Sequence, residues 1–387
     1  MGILMRRLVI CVSTTLFVVS LAGFICSCSG CAGPQKRSFI AFRRNNQIWT
    51  ARADGTQPKR LTSGFDEAPA VSLDGKTIIY QHREGQSVSQ YEPALGQPWK
   101  DKNGNYYPST GIYAIPSTGG KPARVTPASW MTRTGWTSLF QNNPSIPENN
   151  PGLDRVRRDC IEPSFSPDGK SICFIIRDTF EDIADSSLYY AVSTMNSDGT
   201  GDPRILTSIY CHEGQGPRVG NPRFSPDGSE IYWRFSTDQG QQIEKRSMAV
   251  SNPPKTDQYE PWTQVTNTGY IAFDVSNAEG VIAAILQPLP SSGRNTIVLM
   301  GLDGSDVREI YAAPAKVSKD LPDISWEPPS LTSLNKDVAF ADLETPTDSY
   351  TQLKTTSHIY LVSARGGKPK MIITNGDQPC FGEETTR

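Results

Sequence analysis

Pro163-Ser164-Phe165-Ser166-Pro167-Asp168-Gly169-Lys170-Ser171-Ile172-Cys173-Phe174 is the stretch whose reading decides the fold. It reads as two short strands around a tight turn. Proline presets φ at the second turn position, aspartate tolerates the third, and glycine takes the left-handed conformation that closes the hairpin. Phe165 on one arm, and Ile172 and Phe174 at alternate positions of the other, give each strand an apolar face. A lone hairpin of this size is marginal in water, so it needs neighbours.

The neighbours are copies. Pro222-Arg223-Phe224-Ser225-Pro226-Asp227-Gly228-Ser229-Glu230-Ile231-Tyr232-Trp233 repeats the pattern, as does Pro69-Ala70-Val71-Ser72-Leu73-Asp74-Gly75-Lys76-Thr77-Ile78-Ile79-Tyr80. A second module follows each hairpin: an apolar strand, a small turn, then a basic residue and an apolar-Thr ending. It runs as Ile48-Trp49, Asp54-Gly55 and Arg60-Leu61-Thr62, and again as Ile112-Tyr113, Gly119-Gly120 and Arg124-Val125-Thr126. Tyr190, Asp198-Gly199 and Arg204-Ile205-Leu206-Thr207 form a third copy, and weaker copies surround Asp303-Gly304 and Gly366-Gly367. Two hairpins recurring at roughly 40 residues are the signature of a β-propeller built from four-stranded blades.

The expected fold is therefore all-β, a six-bladed β-propeller. Phe39-Ile40-Ala41-Phe42 starts a strand with no hairpin partner before it, while Gln378-Pro379-Cys380-Phe381 matches the Pro-x-Phe start of the other repeats. The C-terminal strand is expected to join the first blade and close the ring, which removes the open sheet edge. Blades two, three and four are expected at 69–126, 163–207 and 222–266. Blades five and six are degenerate, with Asn277-Ala278-Glu279-Gly280 and Glu327-Pro328-Pro329 in place of the tight turn.

Residues 1–28 read as a targeting segment, because Arg6 and Arg7 precede an apolar run from Leu8 to Ile25. Ile25-Cys26-Ser27-Cys28 resembles a bacterial lipobox, with Cys28 as the residue to be lipidated and Cys31 as the alternative. Simple cleavage near Ala32 and an uncleaved anchor are the other readings of the same run. Residues 29–37 then form a tether, and 38–387 the propeller. After Cys31 the cysteines are Cys160, Cys173, Cys211 and Cys380, with no C-x-x-C spacing, so zinc-ribbon and thioredoxin readings fail. Export would permit a Cys160–Cys211 bridge, and Cys173 and Cys380 read as buried small hydrophobes. A formal net charge of −2 without a basic stripe argues against nucleic acid, and three histidines are too few for a histidine-rich metal site. No cofactor and no metal are expected, and the chain is expected to be a monomer.

The extra length is uneven. The Ser-Pro-Asp-Gly and Asp-Gly turns fall on one face of the disc, while the insertions 83–110, 127–159, 178–187, 208–220 and 342–357 fall on the other, with 251–261 as the main exception. Function on such scaffolds sits on the elaborated loops. The first two insertions interleave aromatic and basic residues of the kinds that make binding hot spots. The candidate ligand-binding residues are Trp99, Tyr106, Tyr107, Trp130, Arg133, Trp136, Arg157, Arg158 and His212, with Arg157 and Arg158 expected to be more exposed than Trp130. The same aromatics could equally form a small core for their own insertions. Asp101-Lys102-Asn103-Gly104-Asn105 lacks the glycine position and closing glutamate of a calcium loop, so Asn103-Gly104 reads as a hairpin turn between Trp99 and Tyr106-Tyr107. The repeated aspartates Asp54, Asp74, Asp168, Asp198, Asp227 and Asp303 need only turn chemistry.

The paired modules resemble the WD-like repeats of the TolB-type propeller family, over about residues 38–381. The resemblance implies the propeller fold. TolB itself is a periplasmic member of the Tol–Pal envelope system with an α/β domain before its propeller, where this chain has a short tether. Oligopeptidase propellers are similar too, but no Gly-x-Ser-x-Gly nucleophile elbow occurs here. The propeller of oligogalacturonate lyases is also similar, and it uses histidine-rich metal binding. The expected function is a non-catalytic envelope lipoprotein whose loop face binds a protein, peptide or glycan. The alternative is a polysaccharide-acting lyase or hydrolase, with His82 or His212 and a nearby Arg or Glu as acid and base.

Overall fold

The structure is a computed structural model that describes residues 35–84, 99–100, 106–107, 109–127, 156–181, 186–212, 217–249, 262–276, 280–287, 294–314, 330–331, 337–342 and 357–386. Every regular element among the described residues is a β-strand. The first three are β1 (Gln35–Arg44), β2 (Gln47–Arg52) and β3 (Lys59–Arg60). Next come β4 (Asp66–Val71), β5 (Thr77–Arg83), a small hairpin of β6 (Trp99–Lys100) and β7 (Tyr106–Tyr107), then β8 (Thr110–Pro116) and β9 (Ala123–Arg124). β10 (Val156–Phe165), β11 (Ser171–Glu181), β12 (Ser186–Asn196) and β13 (Arg204–His212) are longer. β14 (Arg218–Phe224), β15 (Glu230–Thr237), β16 (Gly240–Ser247) and β17 (Thr263–Gln264) follow. β18 (Tyr270–Val275), β19 (Val281–Leu286), β20 (Thr296–Gly301) and β21 (Arg308–Ala312) come next. The last five are β22 (Ser330–Leu331), β23 (Asp337–Ala341), β24 (Ile359–Ser363), β25 (Lys370–Ile373) and β26 (Asp377–Thr386).

Four-stranded antiparallel sheets have the orders β26-β1-β2-β3, β14-β15-β16-β17, β18-β19-β20-β21 and β22-β23-β24-β25. Strands β4, β5, β8 and β9 join β10–β13 in one eight-stranded sheet, through the single parallel pairing Asp159↔Thr110. Apolar clusters lie between neighbouring units. Ile79 and Ile112 meet Phe165, Ile172 and Phe174, and Tyr232 and Ile243 meet Phe273 and Ile282. Ala339, Ile359 and Ile373 meet Ile40 and Phe42. That last cluster sets the final sheet against the first, so the sheets form a closed ring, the arrangement of a β-propeller. The expected closure strand is in place. β26 pairs antiparallel with β1 from Gln35↔Thr386 to Arg43↔Asp377. Gln35, Lys36 and Arg37, expected in the tether, belong to this ladder.

The repeated motifs have separable jobs. In the Ser-Pro-Asp-Gly turns, the Asp168 carboxylate accepts from Ser166 Oγ at 2.7 Å and from the Lys170 N–H at 3.0 Å, with Gly169 at φ 71°. Asp74 and Asp227 repeat this arrangement. In the second module, the threonine replaces a ladder bond: Thr62, Thr126 and Thr266 Oγ1 accept from the N–H of Ile48, Ile112 and Ile243 at 2.9, 3.0 and 2.9 Å. The Asp-Gly glycine serves inter-sheet packing. A Cβ on Gly304, at φ 81°, would lie 2.1 Å from the Val265 carbonyl oxygen of the preceding sheet.

Two expected insertions are corrected. Residues 178–187 and 208–220 hold much strand, because β11 runs to Glu181, β12 starts at Ser186 and β13 runs to His212. At the start of the first of them Asp178 stands opposite Arg158, and the neighbouring Arg177 opposite Asp159, in register, so the charges neutralise across the ladder.

The turn carboxylates make stability depend on acid. Hydrogen bonds from Ser225 and Ser229 hold the Asp227 carboxyl down at about 2. A carboxylate held below its unfolded value of about 4 stabilises the fold fully above that pH and loses its contribution as pH falls toward 2. Asp227→Asn keeps the turn geometry but does not titrate. Melting temperatures followed from pH 5 to pH 2 should therefore fall less in the variant than in the parent.

Candidate functional site

The second unit of the ring builds a polar chain across all four of its strands at the elaborated face. Asp66 on β4 stands opposite His82 on β5, and Tyr113 on β8 opposite Arg124 on β9. His82 Nδ1 lies 2.6 Å from Asp66 Oδ1, and Asp66 is only 1% exposed. The Gly64 N–H donates to the other Asp66 oxygen at 3.2 Å. A carboxylate oxygen facing Nδ1 favours a proton on that nitrogen, which then donates to Asp66. The imidazole side chain is 29% exposed, and its ring packs edge-on to Tyr113 at 4.8 Å. Tyr113 OH donates to Glu84 Oε1 at 2.8 Å, and Arg124 Nη1 lies 3.2 Å from the same oxygen. Burial, and then the charge of Glu84, push the Tyr113 phenol up, so it stays a neutral donor.

This cluster sits at the root of insertion 83–110. The Arg83 N–H donates to the Phe65 carbonyl at 2.9 Å, and the Phe65 side chain is 41% exposed. Within the insertion, β6 and β7 pair Trp99 with Tyr107 and Lys100 with Tyr106, which is the hairpin expected around Asn103-Gly104. Sequence reasoning marked His82 but missed Asp66, Phe65 and Gly64. The available signal was Gly-Phe-Asp at the start of the blade, with a histidine at the equivalent height of the next strand.

The other candidates are spread out. Trp130, Arg133 and Trp136 lie outside the described residues, and so do Cys28 and Cys31. Arg157 is opposite Thr179 in β10. Arg158 is corrected: it is 2% exposed and makes two parallel bonds to the fully buried Asp178, at 2.8 and 2.7 Å. It is an internal ion pair, and the expected exposed arginine is absent at that position. His212 is the last residue of β13, opposite Ser187. Four strands (β12, β11, β10 and β8) separate it from His82 in the sheet order. At about 4.8 Å per strand spacing the two histidines are not an acid/base pair. Cys160 is a free, buried thiol that burial pushes up to about 12, hence unreactive. His358 is placed near Asp342 on another sheet, with Nδ1 3.5 Å from Oδ2, and burial raises the Asp342 carboxyl.

No protein-family model matches the sequence, and no curated protein matches it. Among solved structures the chain is similar to TolB from Acinetobacter baumannii, at 17% identity and a TM-score of 0.54 over 89% of this chain. It spans 66% of the length of that protein. A structure from the nidogen/laminin complex is similar at 11% identity and a TM-score of 0.48, over 89% of this chain and 98% of that one. A prolyl endopeptidase is similar at 13% identity and a TM-score of 0.42, over 86% of this chain and 39% of that one. Identities this low speak to fold alone. The chain has a TolB-like β-propeller fold.

Two outcomes follow for the residues of this face. Arg158→Ala removes both charge-assisted bonds to the buried Asp178 and should cost about 3–5 kcal/mol in denaturant unfolding. At Gly64 an added Cβ would lie 2.7 Å from His82 Cε1. Gly64→Ala should therefore displace the imidazole and abolish the Nδ1-protonated signature in imidazole nitrogen NMR, while melting stays cooperative.

Proposed function

We infer that this chain is a non-catalytic cell-envelope lipoprotein, a six-bladed β-propeller that binds a protein, peptide or glycan through its loop face. The six-blade count takes the two halves of the eight-stranded sheet as separate blades, since one pairing joins them. Lipidation at Cys28, with Cys31 as the alternative, rests on the lipobox-like sequence. The observation that carries the binding reading is Phe65, a large apolar side chain 41% exposed, whose carbonyl accepts from the Arg83 N–H at the root of the aromatic insertion and which precedes Asp66, the partner of His82. An exposed aromatic beside a fixed polar group is the composition of a binding hot spot. On the first two strands of the sheets, by contrast, polar groups are spent on one another. Arg43 bridges Asp377 and Glu67, Gln81 bonds Glu67, and Arg223 pairs with Asp274.

A second reading, an enzyme acting on polysaccharide, is favoured by one feature: Asp66 orients His82 as a general base would be oriented.

The test is a pull-down from solubilised envelope with residues 29–387 as bait, beside a Phe65→Ala, Trp99→Ala, Trp130→Ala bait shown to be folded. Material retained by the first bait and lost from the second is the expected result. Equal retention by both would move the binding surface off this face. Polysaccharide cleavage by the parent that His82→Ala abolishes would replace the binding reading with the enzyme.

A further inference from the structure

In every intact blade the innermost strand turns back into the second strand on the trimmed face. The hydrogen bonds Ser72 N–H to Thr77 O, Ser166 N–H to Ser171 O and Ser225 N–H to Glu230 O mark the start of that turn. In the first blade, β26 and β1 occupy these two positions, and Phe39↔Gly382 is the pair that corresponds to Ser72 and Thr77. Those three blades turn here. The first blade does not.

Its ladder runs on instead, through Ser38↔Glu383, Arg37↔Glu384, Lys36↔Thr385 and Gln35↔Thr386. Four further pairs at about 3.4 Å per residue make an antiparallel ribbon of about 14 Å, continuing both strands away from the trimmed face. The chain reaches β1 from its N-terminal side through this ribbon. Cys28 is seven residues before Gln35 and Cys31 four. Even fully extended, those segments span at most about 25 and 14 Å.

We propose that the ribbon is a stalk that stands the propeller on its membrane, with the Ser-Pro-Asp-Gly face toward the lipid and the loop face away. This rests on the lipid anchor inferred above. It also defines the kind of partner the loop face meets. Phe65, His82 and the β6–β7 hairpin are presented to a partner outside the anchoring bilayer, not to one embedded beside it. Phe65 precedes β4 and His82 ends β5 at the end opposite the ribbon, where the connection to the β6–β7 hairpin leaves, and a strand of eight residues such as β15 puts about 25 Å between the two faces.

The experiment uses the full chain purified from membranes and reconstituted into phospholipid vesicles that carry a headgroup acceptor dye. A fluorescent amino acid is introduced at Lys170, in a trimmed-face turn, or at Gln239, in the loop-face turn between β15 and β16. Both positions are exposed. Vesicle flotation, with the Cys28→Ala, Cys31→Ala variant beside it, reads the anchor separately. The expected result is flotation that the variant loses, and energy transfer from Lys170 at least about twofold greater than from Gln239 over the interface distance implied by the strand length. Equal or reversed transfer with flotation intact overturns the orientation while the anchor stands. Failure of the parent chain to float overturns both.

Discussion

The ring is held in order by a bulge in its innermost strands. Ala68, Glu162, Asn221 and Gln378 each precede a proline and each sit at φ between 49° and 54°, in the left-handed region. A residue before proline is already restricted, and a side chain in this region adds strain, so the surroundings must fix it. They do so by reaching across blades. The Ala68 N–H donates to Gln378 Oε1 at 2.7 Å and the Glu162 N–H to Gln81 Oε1 at 3.0 Å. The Asn221 N–H donates to Glu162 Oε2, and Asn221 Nδ2 to the Phe273 carbonyl. At Ala68, Glu162 and Asn221 the bulge frees a backbone N–H that the previous unit satisfies. Buried backbone donors must be paired, so adjacent blades are locked in height as well as packed side by side.

The same division of labour runs outward from the channel. Close to the axis the links are polar and specific, between the blades they are apolar clusters, and at the rim they are glycine approaches to a neighbour's carbonyl. Gly55, Gly199 and Gly304 each stand where a Cβ would strike the outer strand of the preceding unit, at Ile372, Val125 and Val265 respectively. The Asp-Gly pair thus serves two ends. Aspartate closes the turn, and glycine admits the next blade.

The loop face inherits its chemistry from this frame. Asp66 and His82 face each other because β4 and β5 pair in register, and Tyr113 joins them because β8 is the next strand out. Charges in the third unit follow another logic. Arg158–Asp178 and Arg177–Asp159 are cross-strand pairs that let β10 and β11 extend beyond the length of their counterparts. The resulting tall hairpins stand beside the second unit.

Much of this was legible in the residues alone. Recurring Ser-Pro-Asp-Gly and Asp-Gly modules gave the strands, the turns and the β26–β1 closure, because turn geometry depends on a few neighbouring residues and alternation depends on the nearest sheet face. The Asn103-Gly104 hairpin was legible for the same reason. What only the tertiary structure decided depends on register between distant segments. It made Arg158 a buried partner of Asp178 instead of a surface ligand, and made strand of much of two expected loops. It set His82 against Asp66 and far from His212, and it carried the first blade's ladder four pairs past the level at which the others turn. No local pattern encodes those pairings, since each is fixed by which strand the closed ring brings alongside.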